Sequence, residues 1–373
     1  MFGLFRELRA ANVLGINARN ARFISPHNPR RLFPMVDDKL KSKALCVEHG
    51  IPAPALFGVV EAHGDLRGLP SLLEPYREFV IKPVRGAMGN GVLVVVDRDG
   101  AQWVKSSGAR MDDAFLRHYV SGILSGLYSL AGNADRAMIE YRVQLHPSFE
   151  KVSYGGVPDV RVIVFKGVPA LAMLRLPTRR SDGRANLHQG AIAAGIDIPT
   201  GVTQHAVQSN RLVEVHPDTG HRVVGFQVPA WEEILRIAAV CAEMTGLGYL
   251  GVDVVLDAQQ GPLLLELNAR PGLAIQIANF QGLLGPLEML ERVETSRLDP
   301  TERILLAKQV ALDLRRGPLR HPAASPEATP DREAQVGISQ VPRPLVEPAP
   351  QPEARQEPHQ EPPPEAPQIE KVG

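Results

Sequence analysis

Two apolar runs, residues 250–257 and 262–268, flank the turn-like stretch Ala258-Gln259-Gln260-Gly261. β-rich segments separated by so short a polar break predict an antiparallel hairpin. If that four-residue loop pairs Asp257 with Pro262, Asp253 falls directly opposite Glu266. Strand side chains alternate between faces, so Glu266 shares its face with Asn268, and directly opposed Cβ atoms lie about 4.5–5.5 Å apart. Further strands are expected at 79–83, 92–96 and 138–141, and a second hairpin pairs 159–166 with 169–176 through Gly167-Val168.

Helical spacing marks the rest of the apolar positions. A helix opens at Asp37 or Asp38, carries Leu40, Ala44 and Val47 on one face, and stops at Gly50 before Pro52. Residues 112–130 place Phe115, Tyr119, Ile123 and Leu127 close to one stripe. Residues 231–245, opened by Glu232 and Glu233 and closed by Gly246, form another, followed by helices over 284–293 and 301–316. From residue 317 the chain turns to Pro, Glu and Gln without periodicity, which predicts a disordered or polyproline II tail. That tail reads either as a tether or as an inert solubilising segment. Residues 1–36 are too few for a domain of their own.

The chain has 373 residues, 44% of them hydrophobic, enough for more than one folded unit. Lys plus Arg and Asp plus Glu both number 41, so charge balance gives no argument for nucleic acid or an acidic membrane. Cys46 and Cys241 lie far apart in apolar helical contexts and read as core thiols of a reducing compartment. No apolar run reaches the length of about 18 residues that a spanning helix needs, and the N-terminus makes a poor signal peptide. Residues 1–15 either dock on the fold or lie as a short amphipathic helix on a membrane or partner. A cytoplasmic location is the expectation.

Candidate chemistry starts from the central hairpin. An Asp, a Glu and an Asn on one side gain nothing unless their repulsion and desolvation are offset. Either the face is solvated, or a divalent cation sits there, and an all-oxygen set favours Mg²⁺ or Mn²⁺. Lys39, Lys41 and Lys43 crowd the start of the first helix, where cations oppose the helix dipole; they face either solvent or something anionic. Lys82 lies on a short strand followed by Gly86, Gly89 and Gly91 and a returning strand. This is a glycine-rich β-hairpin flap, whose backbone amides suit phosphate oxygens, unlike a strand-to-helix nucleotide loop. The loop at 177–190 carries Arg179, Arg180, Arg184, Asn186 and His188, a composition better fitted to charged ligands than to packing. His188 is either a base toward an amine or a loop-structural side chain.

The segments DDKLKSKALCVEHGIPAP, VIKPVRGAMGNGV, MIEYR, PDVRVIVF, GRANLHQG, GVDVV and LELNARPG, in that order over about residues 37–295, resemble the ATP-grasp superfamily. Among its branches they are similar to the RimK-like alpha-L-glutamate ligases and their relatives. The resemblance implies an α+β fold of two subdomains clasping ATP and Mg²⁺ (or Mn²⁺), with domain boundaries at 37–316, a short segment at 1–36 and a tail at 317–373. It implies that Lys82 holds nucleotide phosphates, that Gly86, Gly89 and Gly91 form the loop closing over them, and that Lys39 is a further phosphate contact. Glu140 and Tyr141 match the hinge beside the adenine, Asp159 the carboxylate reaching the ribose or nucleotide, and Arg184, Ala185 and Asn186 the loop beside the phosphates. Asp253, Glu266 and Asn268 match the metal ligands.

The activity implied is carboxylate–amine ligation through an acylphosphate, with an amino acid joined to a peptide, protein or small-molecule acceptor. Arg161, Arg175 and Arg270 are candidates for holding the carboxylate or acylphosphate, since a guanidinium fork suits both. Arg161 reads equally well as a structural ion pair with Asp159 or Glu140. An ATP-binding regulatory or scaffold module without ligase activity is the rival reading, and action in envelope or sugar-polymer assembly a third. Three features depart from the family pattern: the short N-terminal segment, which invites a protein partner that completes the substrate site; Arg270, where a small residue is more usual; and a long segment between Tyr141 and Asp159.

Overall fold

The computed structural model describes residues 6–316, apart from 9, 87–88 and 130–131. The strands are β1 (Leu56–Val60), β2 (Phe79–Pro83), β3 (Leu93–Asp99), β4 (Gln102–Lys105), β5 (Arg110–Met111), β6 (Ala137–Glu140), β7 (Asp159–Phe165), β8 (Val168–Leu176), β9 (Ile192–Ile196), β10 (Thr203–Gln208), β11 (Arg211–Leu212), β12 (Tyr249–Asp257) and β13 (Gly261–Asn268). The principal helices are α1 (Lys39–Glu48), α2 (Asp113–Leu124), α3 (Trp231–Thr245), α4 (Leu284–Glu291) and α5 (Pro300–Arg316). The strands form two antiparallel sheets, a smaller one ordered β1-β6-β2-β3-β4-β5 and a larger one ordered β11-β10-β9-β8-β7-β12-β13. The fold is α+β, with a separate apolar core against each sheet.

The central hairpin forms as expected, but its register arises differently. The turn holds three residues, not four, so Asp257 pairs with Gly261 and Val254 with Leu264. Continued unbroken, that register would set Glu266 opposite Val252, on the core face. Leu265 is instead an extra residue, a bulge between the Val254 and Asp253 positions, after which Asp253 pairs with Glu266 and Gly251 with Asn268. A bulge re-aims the side chains beyond it. Here it returns Glu266 and Asn268 to the Asp253 face.

On the opposite face, Leu250, Val252, Val254 and Leu256 join Val160, Val162 and Val164 of β7 in the core beneath α3. The predicted hairpin of β7 and β8 is present, closed by Lys166-Gly167. Both cysteines are free and buried.

Two helix faces differ from expectation. Asp38 caps α1 by accepting from the backbone of Leu40 and Lys41, but Val47 is 84% exposed and Ala44 is exposed too. The inward face is Lys39, Ser42, Lys43 and Cys46, because α1 lies over a cleft of mixed lining, where Lys82 and Glu266 stand beside Val36, Ala53 and the leucines of β13. In α2 the buried stripe is Leu116, Val120, Ile123 and Leu124, while Phe115 is 43% and Leu127 70% exposed. This helix ends at Leu124: Gly126 adopts φ +83°, and a Cβ there would lie 2.4 Å from the Asn133 carbonyl oxygen. Leu130, expected in the helix, lies outside the described residues, as does the tail at 317–373.

The segment before α1 packs on the larger sheet, with Leu14, Phe23, Ile24 and Val36 in the main core. The buried Asn28 side chain clasps the backbone of Tyr249, donating to its carbonyl (2.7 Å) and accepting from its N–H (2.8 Å). Among the described residues no helix is long and apolar enough to cross a membrane. Asn28→Ala strands both groups of Tyr249 and should lower the unfolding free energy in urea by about 2–4 kcal/mol. Val47→Ala, at an exposed site, should change it by less than about 0.5 kcal/mol.

Candidate active site

One face of the larger sheet carries a row of charges fixed by strand register. Glu266, Asp253 and Arg161 lie opposite one another on β13, β12 and β7, and Asp159 lies opposite Arg175 on β7 and β8. Asp253 is fully engaged. Arg161 grips it with Nε at 2.7 Å and Nη2 at 2.6 Å, Arg175 Nη2 reaches it at 2.9 Å, and Asn268 Nδ2 donates to it at 3.2 Å. Arg175 Nε also binds Asp159 at 2.5 Å. Arg161 is therefore an ion-pair partner of Asp253 and not of Asp159 or Glu140.

Burial would raise the Asp253 carboxyl, but Arg161 and Arg175 outweigh it and hold the group below the usual carboxylate range. Asp159 shares fewer of those contacts. Burial, with Asp253 nearby, pushes it up to about 6 against the pull of Arg175.

A second cluster belongs to the smaller sheet. Register puts Lys82 of β2 and Glu140 of β6 diagonally on one face. Glu140 is 3% exposed; Lys82 Nζ donates to its Oε1, and Lys43 Nζ of α1 lies 3.0 Å from its Oε2. Lys43 also donates to the Pro54 carbonyl. One turn earlier, Lys39 Nζ lies 3.2 Å from Glu266 Oε1 and donates to the Gly86 carbonyl at 2.7 Å. Thus α1 sends one lysine to each cluster and ties the start of the glycine turn to the metal-candidate face.

From the sequence, Lys43 reads only as one of three lysines facing solvent or an anion, with no site of its own. The available signal was its i, i+4 spacing from Lys39, which puts both ammonium groups on one helix face.

The remaining candidates are spread wider. Gly89 and Gly91 both adopt φ +72°, and a Cβ on Gly91 would lie 2.5 Å from the Tyr128 ring. Gly89, Gly91, Lys105, Tyr119, Tyr128 and Arg184 line a cavity of about 390 Å³. Asn186 accepts from the His188 N–H at 3.0 Å, capping the short turn that follows Ala185. His188 is exposed. Arg270 is exposed and lies over the Phe33 ring, 4.9 Å from its centroid, apart from the Arg161–Arg175 cluster.

Tyr141 follows β6 and donates its N–H to Ala55. The chain then crosses between the sheets, where the Gln144 N–H binds Asp257 at 2.8 Å. The same carboxylate caps the β12–β13 turn through the N–H groups of Gln259 and Gln260.

For a divalent cation the donors on offer would be two carboxylates and an amide oxygen on adjoining strands, a hard-oxygen set suited to Mg²⁺. Among the described residues no three His, Cys, Asp or Glu side chains converge as a metal cluster. The set therefore needs Asn268 and outside ligands to complete a coordination shell.

Residues 18–293 match the family described as "Sugar-transfer associated ATP-grasp". The chain belongs to this ATP-grasp family. It is 28% identical over 236 residues to the "Probable alpha-L-glutamate ligase" of Sodalis glossinidius, covering 63% of this chain and 57% of that protein. A protein of the same name from Pseudomonas putida is 24% identical over 257 residues, 68% of this chain and 63% of its own length. This ATP-grasp chain thus spans less than two thirds of these relatives. Among solved structures it is similar to the RimK domain protein ATP-grasp of Sphaerobacter thermophilus, at 13% identity and a TM-score of 0.39 over 70% of this chain and 69% of that one. It is likewise similar to the D-alanine–D-alanine ligase of Bacillus anthracis complexed with ATP, at 14% identity and a TM-score of 0.37 over 76% of this chain and 68% of that one.

Burial alone would raise the Glu140 carboxyl, but Lys82 and Lys43 outweigh burial and hold it below its ordinary value of 4.5. A depressed acid contributes stability that is present above its unfolded pKa and lost as pH falls through the folded one. Glu140→Gln should therefore flatten the acid limb of a stability–pH curve below about pH 4.5, measured by urea titration.

Proposed function

We propose that this ATP-grasp chain is an ATP-dependent carboxylate–amine ligase. The observation that carries the reading is that Lys82 of one sheet and Glu266, the member of the Asp253–Glu266–Asn268 face that α1 covers, line the same cleft with Lys39 and Lys43. The ATP-grasp family supports ATP as co-substrate. Lys82 and Lys39 are assigned to the phosphates, with Gly86, Gly89 and Gly91 closing over them and Arg184, Ala185 and Asn186 beside them. Glu140 and Tyr141 are assigned to the adenine end and Asp159 to the ribose or nucleotide. Asp253, Glu266 and Asn268 would hold Mg²⁺ (or Mn²⁺), which when bound neutralises phosphate charge.

In the reaction, a substrate carboxylate oxygen attacks the γ-phosphorus and ADP leaves, giving an acylphosphate. The amine nitrogen then attacks the acyl carbon, loses a proton, and inorganic phosphate departs. Such transfers need positioning and charge neutralisation more than a protein nucleophile. Arg161 and Arg175 border the Asp253 face and are assigned to the carboxylate or acylphosphate, with Arg270 at the rim. The names of the relatives support glutamate or another amino acid as one substrate, joined to a peptide, protein or small-molecule acceptor. The family's description, sugar-transfer associated, favours a second reading in which the acceptor belongs to sugar-polymer assembly.

We read residues 37–316 as the ATP-grasp domain, 1–36 as a leading segment and 317–373 as a tail, in a cytoplasmic protein.

With MgATP, an amino-acid mixture and candidate acceptors, mass spectrometry should reveal a condensation product lighter by one water than its components, with equimolar ADP. Asp253→Asn should reduce ADP release by about 100-fold or more while circular dichroism stays unchanged. MgATP binding without ADP release for any acid and amine would instead identify a nucleotide-binding module.

A further inference from the structure

Lys82 has two claims on it. At rest it donates to Glu140 Oε1, yet the ligase reading, on which this inference rests, needs its ammonium on nucleotide phosphates. Glu140 is almost fully buried, 3% exposed, and a carboxylate so placed is strongly destabilising once its partner leaves. Phosphate binding by Lys82 would then be opposed by the cost of stranding Glu140.

We propose that Lys43 removes that conflict as a standing counter-ion, keeping Glu140 neutralised while Lys82 turns to the nucleotide. Three observations carry this. Lys43 reaches Oε2, the oxygen Lys82 does not use, so departure of one lysine leaves the other's contact intact. Lys43 is held in place from a separate segment, by its bond to the Pro54 carbonyl, and by α1, whose end is fixed by the Ile51 N–H on the Cys46 carbonyl. Glu266, the acid that α1 faces on the larger sheet, already has Lys39, so the helix supplies one cation to each of Glu140 and Glu266. Lys43 is in this scheme a positioning residue: it acts on Lys82 through Glu140 and touches no phosphate.

The test compares the affinities of MgATP and adenosine by isothermal titration, since their ratio isolates the contribution of the phosphates. Lys43→Met should lower that ratio by about tenfold or more. The double variant Lys43→Met with Glu140→Gln should restore it to within about threefold of wild type, because no carboxylate then competes for Lys82. Lys43→Arg should retain it. An unchanged ratio in Lys43→Met, or a double variant no better than the single one, would overturn the proposal; the second result would place Lys43 on the phosphates themselves. Thermal unfolding is followed in parallel. Should Lys43→Met fail to fold, the double variant is compared with Glu140→Gln alone: equal ratios are expected, and a lower one in the double variant refutes the role. Lys82→Met separates the two levels of inference. A ratio that depends on Lys82 but not on Lys43 sinks only this proposal, whereas one that depends on neither sinks the nucleotide assignment.

Discussion

A carboxylate taken out of water needs a cation or backbone N–H donors beside it, and in the cleft of this ATP-grasp chain cations meet that need. Asp253 has Arg161 and Arg175, Glu266 has Lys39, and Glu140 has Lys82 and Lys43. Without those partners, desolvation would push Asp253 and Glu140 toward their neutral forms or destabilise the fold, whereas the Glu266 side chain, 34% exposed, depends on its lysine less. The same pairs occupy the groups that the proposed chemistry would use. The resting cleft is internally neutralised, so an incoming ligand exchanges one set of ion pairs for another and meets few bare charges.

Register is what brings these charges together, and it depends on one irregular feature and on the order of the strands. The Leu265 bulge turns Glu266 and Asn268 onto the Asp253 face. The antiparallel order β13-β12-β7-β8 then lays Glu266, Asp253, Arg161, Asp159 and Arg175 in reach of one another. Shifting one strand by a single residue would send its charges into the core under α3 and bring valines into the cleft. The apolar packing of Val252 and Val254 against Val160 and Val162 thus protects the polar face as well as the core.

Much of this was legible in the chain. Runs of β-forming residues located both hairpins, the second with its turn read at Gly167-Val168 and found one residue earlier at Lys166-Gly167, while Asp38 and Gly246 marked the start of α1 and the end of α3. The pairing of Asp253 with Glu266 was also anticipated, but through a four-residue turn; the structure reaches it through a three-residue turn plus a bulge, because turn length and bulges trade against each other without altering the apolar pattern. The face of α1 was misread for a different physical reason. Amphipathic patterning assumes that the inward side is apolar, whereas this helix covers a cleft whose acids want lysines. For that reason Leu40, Ala44 and Val47 looked like the contact surface while Lys39 and Lys43 were the ones turned inward. Side-chain partners such as Arg161 with Asp253 depend on strand order, which local spacing does not encode.

The tie between Gln144 and Asp257 gives the crossing segment a fixed pivot. It lies just past the end of β6, where Glu140 faces Val80 of β2, while the glycine turn begins beyond the other end of β2 at Gly86. Any rotation of the smaller sheet about that point would carry Gly86 through a wider arc than Lys82, and Lys82 through a wider one than Glu140.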